Sequence, residues 1–396
     1  MLILLFLCVV AGLLSLVVAI QFSATLRRIT WNPPRDDGST HEAKVSVVIP
    51  ARDEEQDIAQ ALQSVLNQVG VDLEVVVIND HSSDRTGAIV DSLAATDSRL
   101  KILHNPALPP GWLGKCNAMQ QAAALTSGDY LLFTDADVIH DPSSMVTALA
   151  EMGRSRLDFF SLFPRVDCLS VWENVLAPVF VGGMVQYATT GIEAGDSRDA
   201  VAAGAFMMVR STAFRAVGGF EPIRSEMFDD VSLARLLKAS GYRIGFRAAP
   251  QLLQVRLFKG NRHAFWGMTK NILEVLGGRL WLAPFVMLLP VFVFWTPLLA
   301  FAVGLIQGNR LLVAVAAFTY LIQYSLLWLG WRLFSFHPIK VLLFPLVAVV
   351  VASCLIRALY YQTFKGAVRW RGRTVRVRGL PPTQVEIISK STLEES

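Results

Sequence analysis

Two β-branched runs, residues 45–50 (VSVVIP) and 73–79 (LEVVVIN), each end in a polar loop and flank a stretch of helical periodicity. Within residues 54–68, Ile58, Ala61, Leu62, Val65 and Leu66 fall at the three-and-four spacing of an amphipathic helix. Strands that are apolar without alternation are buried on both faces, which predicts an α/β fold with a parallel sheet between helical layers. A helix at 84–94, a strand at 100–104, a helix at 116–125 and a strand at 130–133 continue the alternation. Sheets of this kind bind ligands beyond the carboxyl ends of their strands. The unusual polar residues of the chain lie there.

The apolar run Tyr130-Leu131-Leu132-Phe133 delivers Thr134-Asp135-Ala136-Asp137. In an extended segment residues i and i+2 project to one side, so Asp135 and Asp137 can share one hard divalent cation, which in turn can hold a diphosphate. An acidic turn is the plainer reading of the same residues. The first strand ends in Pro50-Ala51-Arg52-Asp53-Glu54-Glu55 and the second in Asn79-Asp80-His81-Ser82-Ser83-Asp84. An Asp just past a strand can accept from the imide N–H of uracil or cap the next helix. Binding is expected of Asp80 and capping of Asp84.

The chain has 396 residues, 53% hydrophobic and only 17% charged, against about 25% charged in ordinary soluble proteins. The deficit is local. Residues 1–22 are almost wholly apolar and long enough to cross a bilayer core, with no basic leader or clear cleavage site, so a retained anchor is expected over a cleaved signal. Arg27 and Arg28 follow it, which places residues 42–260, a soluble domain, in the cytoplasm. Residues 261–280 form an interfacial segment, residues 281–356 a transmembrane helical region with candidate spans at 281–306, 311–334 and 338–356, and residues 357–396 a basic tail.

Four full crossings from an outside N-terminus leave that tail outside, although its arginines and lysine favour the cytoplasmic face. Pro284, Pro290 and Pro297 suggest a way out, with 281–306 forming a re-entrant hairpin instead of a crossing. A tail that follows a membrane span is expected to meet lipid and not nucleic acid. Cys8, Cys116, Cys168 and Cys354 are scattered and form no metal or disulfide framework. The Pro-, Asp- and Gly-rich stretch 31–41 reads as a linker, and the apolar stretch 171–187 as either buried core or a helix in the membrane interface.

The ordered motifs IPARDEE, INDHSSDRTG, GWLGKCNAM, FTDAD, GAFMMVRSTAFRAVGGF and FDDVSLARLLKASGYRIGF, over residues 44–250, resemble the family 2 glycosyltransferases of the GT-A nucleotide-diphospho-sugar transferase fold. The run LPPGWLGKCNA, with FWGMTKN downstream, is most similar to membrane glycosyltransferases of hopanoid and carotenoid pathways, including the diaponeurosporenoate type. The resemblance implies that Pro50, Ala51 and Asp53 line the nucleoside pocket and that Asp80 recognises uracil or ribose. Lys115 would lie near the nucleotide phosphates, and Asp135 and Asp137 would hold a divalent metal (Mg2+ or Mn2+) beside them. Gly204 and Gly218-Gly219-Phe220 would form a wall near the donor sugar and acceptor, and Asp230 would be the general base.

Chemistry agrees with that assignment. Direct displacement at an anomeric carbon needs one base on the acceptor hydroxyl and charge stabilisation on the leaving diphosphate. The pair Asp229-Asp230 also suits the start of a helix, a use that needs only one of them. Three features depart from the family pattern. His81 stands where a glycine is common. Asp229 replaces the usual Glu. The Gln-x-x-Arg-Trp motif of polymer synthases is absent, with Arg262 and His263 in its neighbourhood.

The resemblance therefore implies an inverting, membrane-bound enzyme that moves one sugar from a nucleotide-sugar donor, a UDP-sugar, to a lipid such as a hopanoid or carotenoid. Polyprenyl phosphate or a glycerolipid is the neighbouring acceptor reading. A nucleotidyltransferase and a transport or scaffold protein with a dead transferase domain are the rivals from other classes.

Overall fold

The computed structural model describes residues 1–33, 41–187, 200–275, 280–330, 342–361, 367–370 and 373–376. The chain divides into two compact units, one built from residues 29–165 and 188–255 and the other from residues 1–28, 166–187 and 256–381. In chain order the elements up to residue 255 are α1 (Leu2–Ile29), β1 (His41–Ala51), α2 (Ile58–Leu66), β2 (Val71–Asn79), α3 (Thr86–Ala94), β3 (Leu100–His104), α4 (Gly114–Ala123), β4 (Tyr130–Phe133), β5 (Val138–His140), α5 (Ser144–Ser155), β6 (Phe159–Phe163), β7 (Arg165–Val166), α6 (Val171–Tyr187), β8 (Met207–Arg210), α7 (Ser211–Ala216), α8 (Asp229–Ala239), β9 (Ile244–Ala248) and β10 (Leu253–Val255).

The α/β unit is built on a seven-stranded sheet in the order β3-β2-β1-β4-β8-β6-β9. β1 pairs in parallel with β2 and β4, and β2 with β3, as the uninterrupted apolar runs require. Val47, Val48, Val75, Val76, Leu132 and Phe133 are fully buried, each stabilising the sheet by about 1.5–3 kcal/mol relative to exposure. The sheet is not wholly parallel. β8 runs antiparallel to both β4 and β6, and it arrives from residues remote in sequence, which local pattern does not reveal.

Glu74 fixes the amino end of the sheet. Its carboxylate accepts from the hydroxyl of Ser46 on β1 and from the amide and hydroxyl of Ser127 ahead of β4, with Lys44 Nζ at 3.4 Å. Burial alone would raise its pKa, but these donors outweigh burial and hold it at about 2.

α2 begins at Ile58, later than its periodicity suggests, because residues 52–57 are spent on the loop at the carboxyl end of β1. Glu54 N donates to Thr86 Oγ1 and Glu55 N to Asp84 Oδ2, each within 3.0 Å. Nor does the linker begin at Trp31. That ring is buried edge-on against Phe160 at 5.5 Å, and its amide donates to Ala248 O on β9.

The second unit is helical: α1, α6, α9 (Asn261–Val275), α10 (Ala283–Ile306), α11 (Arg310–Gly330) and α12 (Phe344–Tyr360). Among the described residues, α1 and α10 are long and apolar enough to cross a membrane, and 171–182, 310–325 and 345–360 are shorter apolar helical stretches. Small and polar residues bring α1 to α11. Gly12 leaves room for Thr319, Cys8 Sγ lies 3.7 Å from Thr319 Oγ1, and Gln323 Nε2 donates to Ser15 Oγ at 3.2 Å. Small side chains permit that close approach, and the polar pairs join the two helices.

The expected hairpin at 281–306 is corrected here, since α10 is one continuous helix. Pro284 falls in its first turn, where the missing N–H has no partner to lose. Pro297 frees the carbonyl four residues back, that of Val293, and Gln323 Nε2 of α11 donates to it at 2.8 Å. At the head of α6, Glu173 accepts from both Nε and Nη2 of Arg256 and from the amides of Leu169 and Gly260. Residues 367–370 and 373–376 of the basic tail pair as two antiparallel strands, and the rest of that tail from residue 377 lies outside the described residues.

Candidate active site

Two loops at the carboxyl ends of β1 and β2 are laced together. Asp53 Oδ1 accepts from Ser83 N at 2.7 Å and from Ser83 Oγ at 3.1 Å, while Asp53 N donates to Ser82 Oγ. Asp84 is not the cap expected of it, since Arg85 stands at the N-cap of α3; Asp84 Oδ1 instead accepts from Thr86 N at 2.9 Å, two residues on. Pro50 and Ala51 pair with Ile78 and Asn79 in the sheet, and Ala51 O accepts from Asp80 N at 2.8 Å.

Asp80 is buried just past β2. Its Oδ1 lies 3.0 Å from His81 Nδ1 and its backbone carbonyl accepts from Arg52 Nη1 at 3.0 Å. His81 has φ 57, a left-handed conformation that glycine adopts freely and an L-residue adopts at a cost of about 1 kcal/mol. That backbone accounts for the glycine common at this position. The ring of His81 is turned onto Asp80.

Beyond β4 the chain does not stay extended. Strand pairing stops at Phe133, and residues 134–137 form a turn in which Val138 N approaches Asp135 O at 3.4 Å. Alternation along a strand therefore does not set the relation of Asp135 to Asp137. The turn does. Asp135 Oδ1 meets Lys115 Nζ, from the first turn of α4, at 2.8 Å, and the same ammonium lies 3.3 Å from Asp229 Oδ2 at the start of α8. A Cβ on Gly204 would stand 3.2 Å from both Asp135 Oδ2 and Lys115 Nζ. Three remote parts of the sequence thus converge on Lys115.

Asp230 completes the cluster. Gly204 N donates to its Oδ2 at 3.0 Å and Val231 N to its Oδ1 at 2.7 Å. Burial, and then the adjacent Asp229 charge, push the Asp230 carboxyl up to about 7. Burial raises Asp229 as well, against the pull of Lys115. For Lys115 burial opposes the charge, but Asp135 and Asp229 outweigh it and hold the ammonium well above the ordinary lysine value. A carboxylate with a pKa near neutrality suits proton abstraction at physiological pH.

The donor set fits a cation that arrives with its substrate. Among the described residues no group of three or more His, Cys, Asp or Glu is placed to hold a metal by itself. Magnesium characteristically takes one or two carboxylates and completes its shell with water and substrate phosphate. Asp135 is one such carboxylate beside Lys115, and Asp137 follows two residues on in the same turn. Asp229 Oδ2 is buried without a hydrogen bond, 3.3 Å from Lys115 Nζ.

Gly218-Gly219-Phe220 takes a packing role. Phe220 is fully buried in an aromatic cluster with Phe133 and Phe214 at 5.0 and 5.4 Å. Gly219 has φ 61, and Phe220 N donates to Gln120 Oε1 at 2.8 Å. His263 belongs to the helical unit, where its Nδ1 accepts from Lys259 N at 3.0 Å, and Arg262 lies beside it on α9.

Residues 46–218 match the family model described as glycosyl transferase family 2. That stretch is a family 2 glycosyltransferase domain. The chain is 36% identical over 102 residues to the 4,4'-diaponeurosporenoate glycosyltransferase of Staphylococcus haemolyticus, covering 26% of each protein. It is 36% identical over 95 residues to the GalNAc(5)-diNAcBac-PP-undecaprenol beta-1,3-glucosyltransferase of Campylobacter jejuni, covering 24% of this chain and 29% of that one. The matched stretches thus span less than a third of these relatives. A solved structure of the mannosyltransferase PcManGT from Pyrobaculum calidifontis, in complex with GDP-Man and Mn2+, superposes at a TM-score of 0.53 with 17% identity, covering 90% of this chain and 99% of that one. The likeness is one of fold, and it is the GT-A-like fold expected from the sequence.

A polar network behind the turn at 134–137, through Thr134, His140 and Ala205, has no motif to announce it. Its sequence signal is slight: a threonine directly after the apolar run of β4, and a histidine at the end of the three-residue β5.

Proposed function

We propose that this protein is a membrane-bound, metal-dependent, inverting glycosyltransferase that moves a single sugar from a nucleotide-sugar donor, a UDP-sugar, to a membrane lipid of the triterpenoid or carotenoid class. The observation that carries the reading is Asp230, a half-buried carboxyl near neutral pKa, held by the Gly204 amide beside the Lys115–Asp135 pair.

In this reading Asp230 takes the proton of the acceptor hydroxyl as that oxygen bonds to the anomeric carbon. The bond from that carbon to the diphosphate breaks on the opposite face, its electron pair leaving with the diphosphate. One displacement inverts the configuration. Lys115 supplies positive charge next to the departing oxygens, while Asp80, Asp53, Pro50 and Ala51 hold the nucleoside. A divalent ion on Asp135 and Asp137, when bound, neutralises charge on the leaving group. The catalytic unit would face the cytoplasm, where Arg27 and Arg28 after the first span would keep it.

The Campylobacter relative is named for a substrate carried on PP-undecaprenol, which favours a second acceptor class, a polyprenyl-linked sugar. Incubating purified protein with a panel of nucleotide sugars and extracted host lipids tests both. A glycosylated terpenoid with free UDP is the expected product. A sugar appearing on a polyprenyl-linked acceptor moves the reading to the second class, and release of pyrophosphate removes glycosyl transfer altogether.

A further inference from the structure

His140 is 3% exposed and takes no part in the chemistry above. Its Nε2 lies 3.0 Å from Thr134 Oγ1, and that hydroxyl lies 2.7 Å from Ala205 O. A hydroxyl has one proton. Because a carbonyl can only accept, Thr134 spends its proton on Ala205 and must accept from His140, which fixes the tautomer with hydrogen on Nε2. Burial pushes the His140 pKa down to about 3, consistent with an uncharged ring. With hydrogen on Nε2, Nδ1 is an acceptor, and Ser144 Oγ has a choice of two acceptors for its single proton, Nδ1 at 3.4 Å and Gln68 Oε1 at 3.0 Å.

The far end of this chain matters. Residues 203–206 form a tight turn closed by Phe206 N donating to Ala203 O at 3.1 Å. Ser161 Oγ accepts from Ala203 N at 2.9 Å, and Thr134 holds Ala205 O. With both ends pinned, the turn presents Gly204 N to Asp230 Oδ2. Thr134 also precedes Asp135 directly, so one hydroxyl joins the turn at 134–137 to the segment that holds the base.

We infer that His140 is a positioning residue that acts through Thr134 and Ala205 O to set the Gly204 amide against Asp230 and to lock that segment to the Asp135 turn. The inference rests on the reading of Asp230 as general base. It requires no contact between His140 and substrate.

The test compares Thr134→Val, which keeps shape and removes the hydroxyl, with His140→Leu and His140→Gln, the last retaining a donor near the Nε2 position. Thr134→Val and His140→Leu are expected to lower kcat about tenfold or more, the scale of a misplaced catalytic group, with donor KM within about twofold. His140→Gln is expected to recover most of that loss. The double variant should be no worse than either single one, since both break the same chain. Wild-type kcat in Thr134→Val, or losses that multiply in the double variant, would overturn the inference.

Hydrogen exchange of the 203–206 segment gives a readout independent of turnover. Its protection should fall in Thr134→Val and His140→Leu and return in His140→Gln. If the wild-type protein transfers no sugar from any donor, the functional reading fails, and this exchange pattern alone decides for or against the network.

Discussion

The backbone N–H of Gly204 donates to Asp230 Oδ2 at 3.0 Å, and the α-carbon of the same glycine stands against the Lys115–Asp135 ion pair. One residue without a side chain therefore touches both halves of the proposed reaction, the base and the charge that meets the diphosphate. Any side chain here presses on Asp135 Oδ2 and Lys115 Nζ at 3.2 Å. A side chain here would need the ends of Asp135 and Lys115 to give by a few tenths of an ångström.

Asp230→Asn keeps the shape and the bond from Gly204 but removes the proton acceptor. Turnover should fall about 100-fold or more, the usual scale for a lost general base, while donor affinity measured by calorimetry stays within about twofold. Near-normal turnover with the native acceptor would assign the base elsewhere.

Asp137→Ala should weaken binding of the nucleotide diphosphate in the presence of metal and leave metal-free binding little changed. Chelation with EDTA should abolish transfer, and magnesium or manganese should restore it. Full activity in chelator would remove the metal from the mechanism.

How much of this is legible in sequence depends on how local each contact is. Asp135 and Asp137 sit two residues apart at the end of an apolar run, so the chain alone singles them out. Lys115 and Asp229 are separated by more than a hundred residues, and nothing before folding says that they lie 3.3 Å apart. The turn at 134–137 defeats the alternation argument because strand pairing stops at Phe133. The proline-rich segment 281–306 misleads for a related reason. The partner that replaces the bond lost at Pro297 is Gln323, on another helix, so counting prolines exaggerates their disruption.

The raised pKa of Asp230 sets a pH dependence. Below about 7 the carboxyl is protonated and cannot accept a proton, and above it the carboxylate is free to act. Thus kcat/KM should rise with pH through about 7, which reports the free enzyme. In Asp229→Asn the neighbouring charge is gone, so the rise should move to lower pH. A profile flat from pH 5 to 8 in the wild-type protein would contradict the assignment.

The proposed cytoplasmic placement of the catalytic unit rests on Arg27 and Arg28 at the end of α1. A single cysteine replacing Ser82, in a background freed of the four native cysteines, should resist a membrane-impermeant thiol reagent in intact cells and react once the membrane is opened. Labelling in intact cells would place the catalytic loops outside.

The carbonyl of Val293 tests how the helical unit tolerates its prolines. Pro297 has no N–H for that carbonyl, and Gln323 Nε2 donates to it at 2.8 Å. Gln323→Leu removes the donor and leaves a half-buried acceptor unmet, which should cost roughly 1 kcal/mol, the scale of a polar contact between apolar helices. Pro297→Ala restores the intrahelical N–H, so the Gln323 contact becomes redundant. Gln323→Leu should therefore destabilise the wild-type background more than the Pro297→Ala background in detergent unfolding experiments, and that difference isolates the contact from general packing. Equal losses in both backgrounds would mean that Gln323 stabilises the unit through Ser15, and that the Val293 carbonyl is satisfied by other means.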